Sequence, residues 1–550
     1  MKGLKRLLLA SAISASCIQG AWAIGAYPRP IVMRQPDGTT LLVRIQGDEN
    51  YHFVTSSDGF FLQRDKKGYF CYVDYDLKTG KRTLTRQRAH NIDERTDAEK
   101  KVISRLTASQ TANADYFKRN RIERKAPAKT LDKKVIAPRR VLGKNAKVKE
   151  SQYLVILVNF SDSTMRYKNS DFDRWLNEPG YSVNGGTGSV KDYYRDNSMG
   201  QYVPNFQVVG PYTLSKPTAY YGGNTGDSGT DTNPRDMVRE ALELARQNNP
   251  DLNFAQFDND GDGEMDNCYI IYAGYSEAST ANTDDIWPHS WNFTTADANG
   301  DVPVKPEYDG IKVNNYSCSA ELVGMPGAPA KPSMDGIGTF THEFGHVLGL
   351  KDMYDTDNTD NGVGIDPGDY SLYASGSYNN ESRTPPYLMA FERMQMGWMT
   401  EGDDIVEIKN PEDVSLESLS ENKARFINAQ PNREPGTGME WFILENRQQT
   451  GWDKYIPAHG LLITHYDYTK EKQEQWWDIN GPNNVASHRC LYIVPADGID
   501  DSNTRSGDTF PGSSANTSFT DNTTPNSRNW NNEPLGVPVT NINEGDGIVR

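Results

Sequence analysis

The stretch from Thr341 to Asp352 reads T-H-E-F-G-H-V-L-G-L-K-D, and its residue types and spacing suit hydrolytic metal chemistry. His342 and His346 stand four apart, so on a helix both imidazoles lie on one face, about one turn from each other, within reach of a single cation. Glu343 sits beside them, in the H-E-x-x-H arrangement where two histidines hold zinc and the glutamate serves as general base. A catalytic zinc takes three protein ligands and keeps one position open for water, and Asp352 is placed to be the third if the chain turns sharply after the helix. Gly349 permits that turn because it accepts positive φ. Two histidines in an ordinary helix would explain the bare motif; Gly349 and Asp352 at these places favour zinc.

A second run of hard oxygen ligands lies upstream. Asp258, Asp260, Asp262 and Asp266 occupy positions 1, 3, 5 and 9 of a tight loop with Gly263 at position 6 for the sharp turn, which suits calcium. Tyr269 stands where an EF-hand has its bidentate glutamate, so the loop is EF-hand-like and leads into a strand. The acidic stretch Asp355, Asp357, Asp360, Asp366 and Asp369 is irregularly spaced and makes a poor second site.

These motifs need elements to hold them. The motif helix is expected from about Ile337 to Gly349, and the runs Tyr153–Phe160 and Cys268–Ala273 read as buried strands. Segments 189–194 and 237–245 have helical apolar spacing. Beyond about residue 401 short strands and turns take over, as in 441–444 and 460–465.

The chain has 550 residues, too many for one ordinary core, and divides as follows. Residues 1–23 read as a signal peptide: Lys2, Lys5 and Arg6 precede the apolar run from Leu7 to Ile18, and Ala21-Trp22-Ala23 supplies a cleavage pattern that starts the mature chain at Ile24. Residues 24–91 read as a small β-rich module, 92–149 as a basic linker, 150–400 as the domain with the metal motif and 401–550 as a β-rich region. Between Lys118 and Lys149 thirteen Lys or Arg face two acidic residues, an accessible stretch for proteolytic processing. The net charge of −16 argues against nucleic acid and anionic membranes as partners and suits bound divalent cations. No later run is long and apolar enough to anchor the chain in a membrane once the signal is removed. Cys71, Cys268, Cys318 and Cys490 permit three disulfide pairings, with free buried thiols an equal alternative.

The pattern H-E-x-x-H-x-x-G-x-x-D resembles metzincin-type zinc peptidases with aspartate as third ligand, and its surroundings resemble the immune inhibitor A family of secreted bacterial metallopeptidases. The likeness runs through L-V-I-L-V-N-F-S-D at Leu154–Asp162, D-Y-Y-R-D-N-S-M-G at Asp192–Gly200, Ile286–His289 and Pro386–Trp398, and Gln35–Gly38 and Gly47–Glu49 are similar to a propeptide. It implies an α/β (α+β) metallopeptidase domain, with an upper twisted sheet over a lower irregular half, an N-terminal β-rich propeptide module and a C-terminal β-rich region. It also implies a secreted zinc endopeptidase acting on proteins or peptides, made as a precursor for an activating protease and stabilised by calcium. One departure stands out: Tyr373 occupies the place of the methionine that metzincins carry in a turn beneath the zinc.

The alternatives are an exported binding protein that keeps the peptidase fold with weak or no activity, and a zinc hydrolase for non-peptide substrates. Tyr373 and Tyr378 are candidates for oxyanion stabilisation, though wall residues fit each better. His289, His459, His465 and His488 read as structural. Asp48 and Glu49 are candidates for a carboxylate that blocks the zinc in the precursor, a surface turn being the stronger alternative. Substrate preference, oligomeric state and the position of propeptide cleavage are not encoded legibly.

Overall fold

A computed structural model describes residues 24–49, 51–119, 149–225, 229–295, 302–324, 332–356, 364–430, 438–472, 475–476 and 480–550. The signal segment, most of the basic run, and Asp357 and Asp360 lie outside the described residues.

The central sheet explains why the motif helix is where it is. Its strands run in the order His289–Asn292, Asn315–Val323, Cys268–Tyr275, Lys149–Asn159, Tyr202–Thr213. The last four are mutually parallel, while His289–Asn292 and the short Ser333–Met334 flank Asn315–Val323 antiparallel. A parallel sheet is covered on both faces, and the alternation of the middle strands sorts their side chains accordingly. Leu154, Ile156, Val158, Ile270 and Tyr272 pack with Met237, Val238, Ala241 and Leu242 of the helix Pro234–Asn248. Tyr153, Val155, Leu157, Tyr269 and Ile271 face the other way, onto Phe340 and Phe344 of the motif helix Ile337–Val347. Tyr269 stacks on Phe340 with ring centroids 3.8 Å apart. This mixed α/β build carries a lower half of short helical turns below the motif helix.

The core does not stop at residue 400. Trp441, Ile443, Trp452, Tyr466, Trp476 and Leu491 belong to the same apolar cluster as Phe340 and Phe344. They come mainly from a five-stranded sheet between Ile405 and Ile493. Buried Arg447 sits between Glu445 and Asp453 at 3.1 and 2.7 Å, and these carboxylates also accept the backbone N–H groups of Ala390 and Tyr387.

The N-terminal module is a six-stranded antiparallel meander from Ile31–Arg34 to Lys81–Arg88. The region read as linker from residue 92 carries the helices Asp97–Ile103 and Ser109–Arg119, which pack on this sheet. Buried Glu99 accepts from Tyr72 Oη at 3.0 Å, and Tyr51 Oη donates to Asn113 at 2.7 Å. Basic composition near Arg119 hid these amphipathic turns. The four cysteines are buried, free thiols.

Candidate active site

The motif helix is buried from Ile337 to His346, and Tyr194 Oη donates to Thr341 O at 2.7 Å to pin it from the neighbouring helix. It ends with Gly349 at φ +100°, a conformation that glycine adopts without strain, and the chain reverses to bring Asp352 back beneath the histidines. His342 Nδ1 meets Leu372 O at 2.9 Å and His346 Nδ1 meets Leu350 O at 2.8 Å. Each carbonyl can only accept, so both rings carry their proton on Nδ1 and turn an Nε2 lone pair inward. The Nε2 atoms lie 3.1 Å apart, and Asp352 Oδ1 lies 3.1 Å from one and 3.4 Å from the other.

Three lone-pair donors converging with no hydrogen between the imidazoles repel one another unless a cation sits among them. A tetrahedral zinc with bonds of about 2.0–2.1 Å spaces its ligand atoms about 3.3 Å apart, and the triangle fits that requirement. Burial lowers His346, which keeps it neutral.

Asn480, from the C-terminal region, is a residue that sequence reasoning missed. Its Nδ2 donates to Asp352 Oδ2 at 2.6 Å, and its Oδ1 accepts from Asp352 N at 3.1 Å, so the outer oxygen is taken and Oδ1 faces the histidines. The separation of 128 residues leaves no local signal.

Tyr373 lies under the triangle, its ring 5.1 Å from His342 and 5.4 Å from His346. A phenol fits there because position 345 is glycine: a Cβ on Gly345 would lie 1.6 Å from Tyr373 Oη. Tyr373 is thus a floor, and its hydroxyl has no hydrogen-bond partner among the described residues.

Glu343 is fully buried, and burial raises its carboxyl well above the ordinary range. Its Oε1 accepts the backbone N–H of Ile24 at 2.7 Å. The next residues of that segment are held as firmly: Trp287 Nε1 donates to Ile24 O at 3.0 Å, Tyr378 Oη to Gly25 O at 2.7 Å, and Tyr27 N to Ala278 O at 3.0 Å. Tyr378 therefore reaches the mouth of the site, while Tyr373 does not. Asp48 and Glu49 are buried rather than in a surface turn, at 3% and 6% exposure, and Glu49 acts electrostatically on Glu343, to which Ile24 N donates. Asp48 O is met by His52 Nδ1 at 2.9 Å, and His52 Nε2 reaches Glu277 at 3.0 Å while its ring stacks on Trp287.

The other histidines have structural partners. His289 is buried between Trp287 O and Tyr316 Oη, and burial lowers it to about 4. His465 pairs with Glu440, His488 with Asp467 and His459 with Glu544.

In the acidic loop, carboxylate oxygens of Asp258, Asp260 and Asp262 come within 4.8 Å of one another. Asp266 Oδ2 instead accepts the backbone N–H of Asn259 at 2.9 Å, which ties the loop's ends together.

Two histidines on a buried helix and an aspartate just beyond it, grouped as a metal ion would require, with a carboxyl one residue after the first histidine and a mainly parallel sheet behind, suit a metallopeptidase domain. Residues 141–399 match the catalytic domain of the immune inhibitor A peptidase M6 family, and this part of the chain belongs to that family. The chain is 28% identical over 330 residues to the pre-pro-metalloprotease PrtV of Vibrio cholerae serotype O1, covering 53% of this chain and 34% of that protein. It is 28% identical over 279 residues to immune inhibitor A of Bacillus thuringiensis subsp. alesti, covering 42% of this chain and 37% of the relative. The matched part is thus little more than a third of each relative's length. Among the described residues no helix is long and apolar enough to cross a membrane.

Proposed function

We propose that this protein is an exported zinc endopeptidase, made as a precursor that its own N-terminal segment keeps closed. The observation that carries this is the triangle of His342 Nε2, His346 Nε2 and Asp352 Oδ1, with edges of 3.1 to 3.4 Å and both Nδ1 atoms committed to carbonyls.

These three residues would hold zinc, which when bound supplies the Lewis acidity that activates water and polarises a peptide carbonyl. The chain's own residues do the rest. Glu343 takes the proton of the attacking water and returns it to the departing nitrogen. Asn480 and the carbonyls of Leu350 and Leu372 keep the ligands aimed. Asp258, Asp260 and Asp262 would hold calcium, with Asp266 closing the loop rather than binding the ion.

Latency follows from Ile24, whose nitrogen, the α-amino group once residues 1–23 are removed, occupies the Glu343 oxygen needed by water. The module is seated by an apolar cluster that joins Ile31, Met33, Leu41 and Val43 to Ala278, Ala281 and Trp287. A cut in the basic run between Lys118 and Lys149 would free it, which makes an activating protease the natural partner.

The test is mass spectrometry of peptides released from a protein mixture by intact precursor, by precursor nicked in the basic run, and by nicked Glu343→Ala, each with and without chelator. Release only by nicked, unchelated protein with Glu343 present is expected. Full zinc content with no Glu343-dependent release would instead favour the binding-protein reading.

A further inference from the structure

The contacts of Ile24–Tyr27 carry more than latency. Under the zinc peptidase reading, on which this inference rests, Glu343 returns a proton to the departing nitrogen. A backbone nitrogen 2.7 Å from that carboxylate therefore stands where the departing nitrogen of a substrate stands. The residues that follow it run where the departing half of a substrate must run.

Along this path the cleft offers directional groups in series. The Trp287 indole donates to the carbonyl of the residue that bears the nitrogen, and the Tyr378 phenol to the carbonyl of the next. Ala278 O accepts the N–H of the fourth residue, Tyr27, whose ring meets Tyr378 edge-on at 5.3 Å. Ile24 is almost fully buried, at 1% exposure, where its N and O are held by Glu343 and Trp287. Burial raises the Tyr378 hydroxyl well above its ordinary value, which keeps it a donor. All three groups belong to the segment 149–400 and stay behind when the module leaves.

We propose that Ile24–Tyr27 occupies the cleft as the departing half of a substrate does. Trp287 and Tyr378 are then positioning residues for the carbonyls of the first and second residues beyond the scissile bond. The enzyme favours substrates with an aliphatic residue directly after that bond and an aromatic residue three further on.

The experiment uses the full chain nicked in the basic run, with two fluorogenic peptides. One continues four residues beyond the bond with the order Ile, Gly, Ala, Tyr; the other ends in an amidated Ile directly after it. Tyr378→Phe is expected to raise KM about fivefold to tenfold on the long peptide with kcat unchanged, and to leave the short one unaffected, since only the long one has the second carbonyl. Trp287→Phe is expected to raise KM on both. A Tyr378→Phe effect on kcat equal for both peptides, or no effect on either, overturns the proposal, as does an absence of aliphatic residues at the new N-termini of cleaved proteins. If nicked wild-type protein cleaves nothing, the peptidase reading fails separately. Calorimetric binding of the tetrapeptide Ile24-Gly25-Ala26-Tyr27 then decides: weaker binding in Tyr378→Phe supports the positioning role, and equal binding defeats it.

Discussion

The two acidic constellations of this molecule differ in what surrounds their carboxylates. In the cradle under the motif helix, one carboxylate faces two imidazoles. In the loop the cluster consists of three carboxylates that crowd one another. Asp262 is pushed above the ordinary range by partial burial first and then by Asp260 and Asp258. The cradle's ligand atoms are aimed by backbone carbonyls and Asn480. The loop's carboxylates are aimed by N–H groups of their own turn.

The sharpest way to separate holding from reacting is Glu343→Gln, which is expected to lower kcat by about 10²–10⁴-fold while zinc content by elemental analysis stays at one per chain. Loss of the metal in that variant would break the division of labour drawn for the cradle. Next in size, Asn480→Ala should weaken zinc binding about 10–100-fold in competition with a chromogenic chelator, because Asp352 loses the partner that aims it. An unchanged affinity would mean that the cradle is less preorganised than its geometry implies.

Asp260→Asn tests the other side. Calcium should raise the melting temperature of the wild-type protein, and the variant should lose about 2–4 °C of that gain while keeping zinc. Acidity sharpens the contrast. A carboxyl whose folded-state affinity for protons is raised takes up its proton before an ordinary aspartate as pH falls. The calcium-dependent gain should therefore decline on acidification at a pH above the ordinary aspartate range, followed by calorimetry with and without calcium. The smallest effect is expected from Tyr373→Phe, within about 0.5 kcal/mol in denaturant unfolding, because the hydroxyl it removes has no partner among the described residues. A loss several times larger would show that the floor depends on the phenol.

Local chemistry was legible in the sequence and distant chemistry was not. His342, Glu343, His346, Gly349 and Asp352 declare themselves because helix geometry and one positive-φ turn fix their relations. The same is true of Asp258, Asp260 and Asp262, which share a tight loop, whereas Asp266, a few residues on, turns to Asn259. The strands around Leu154 and Ile270 are readable because parallel strands buried on both faces are continuous apolar runs. Asn480 and Ile24 carry no such mark. They meet Asp352 and Glu343 across separations of 128 and 319 residues, through packing that no spacing rule encodes. Asp48 and Glu49 are visible in the sequence as paired acids, whereas the Ile24 nitrogen that meets Glu343 belongs to the main chain, which composition cannot flag.

The apolar cluster that joins Phe340 and Phe344 to Trp441, Trp452, Tyr466 and Leu491 crosses the limit at which the family match ends. Calorimetric melting of the nicked protein should accordingly give one endotherm for everything from Lys149 onward, with a second belonging to the released module. A polypeptide shortened near residue 400 would strip that cluster of the residues it draws from beyond this point and lose Asn480, so it should aggregate rather than survive as a minimal enzyme. For this molecule, the unit that melts is larger than the unit that sequence comparison delimits.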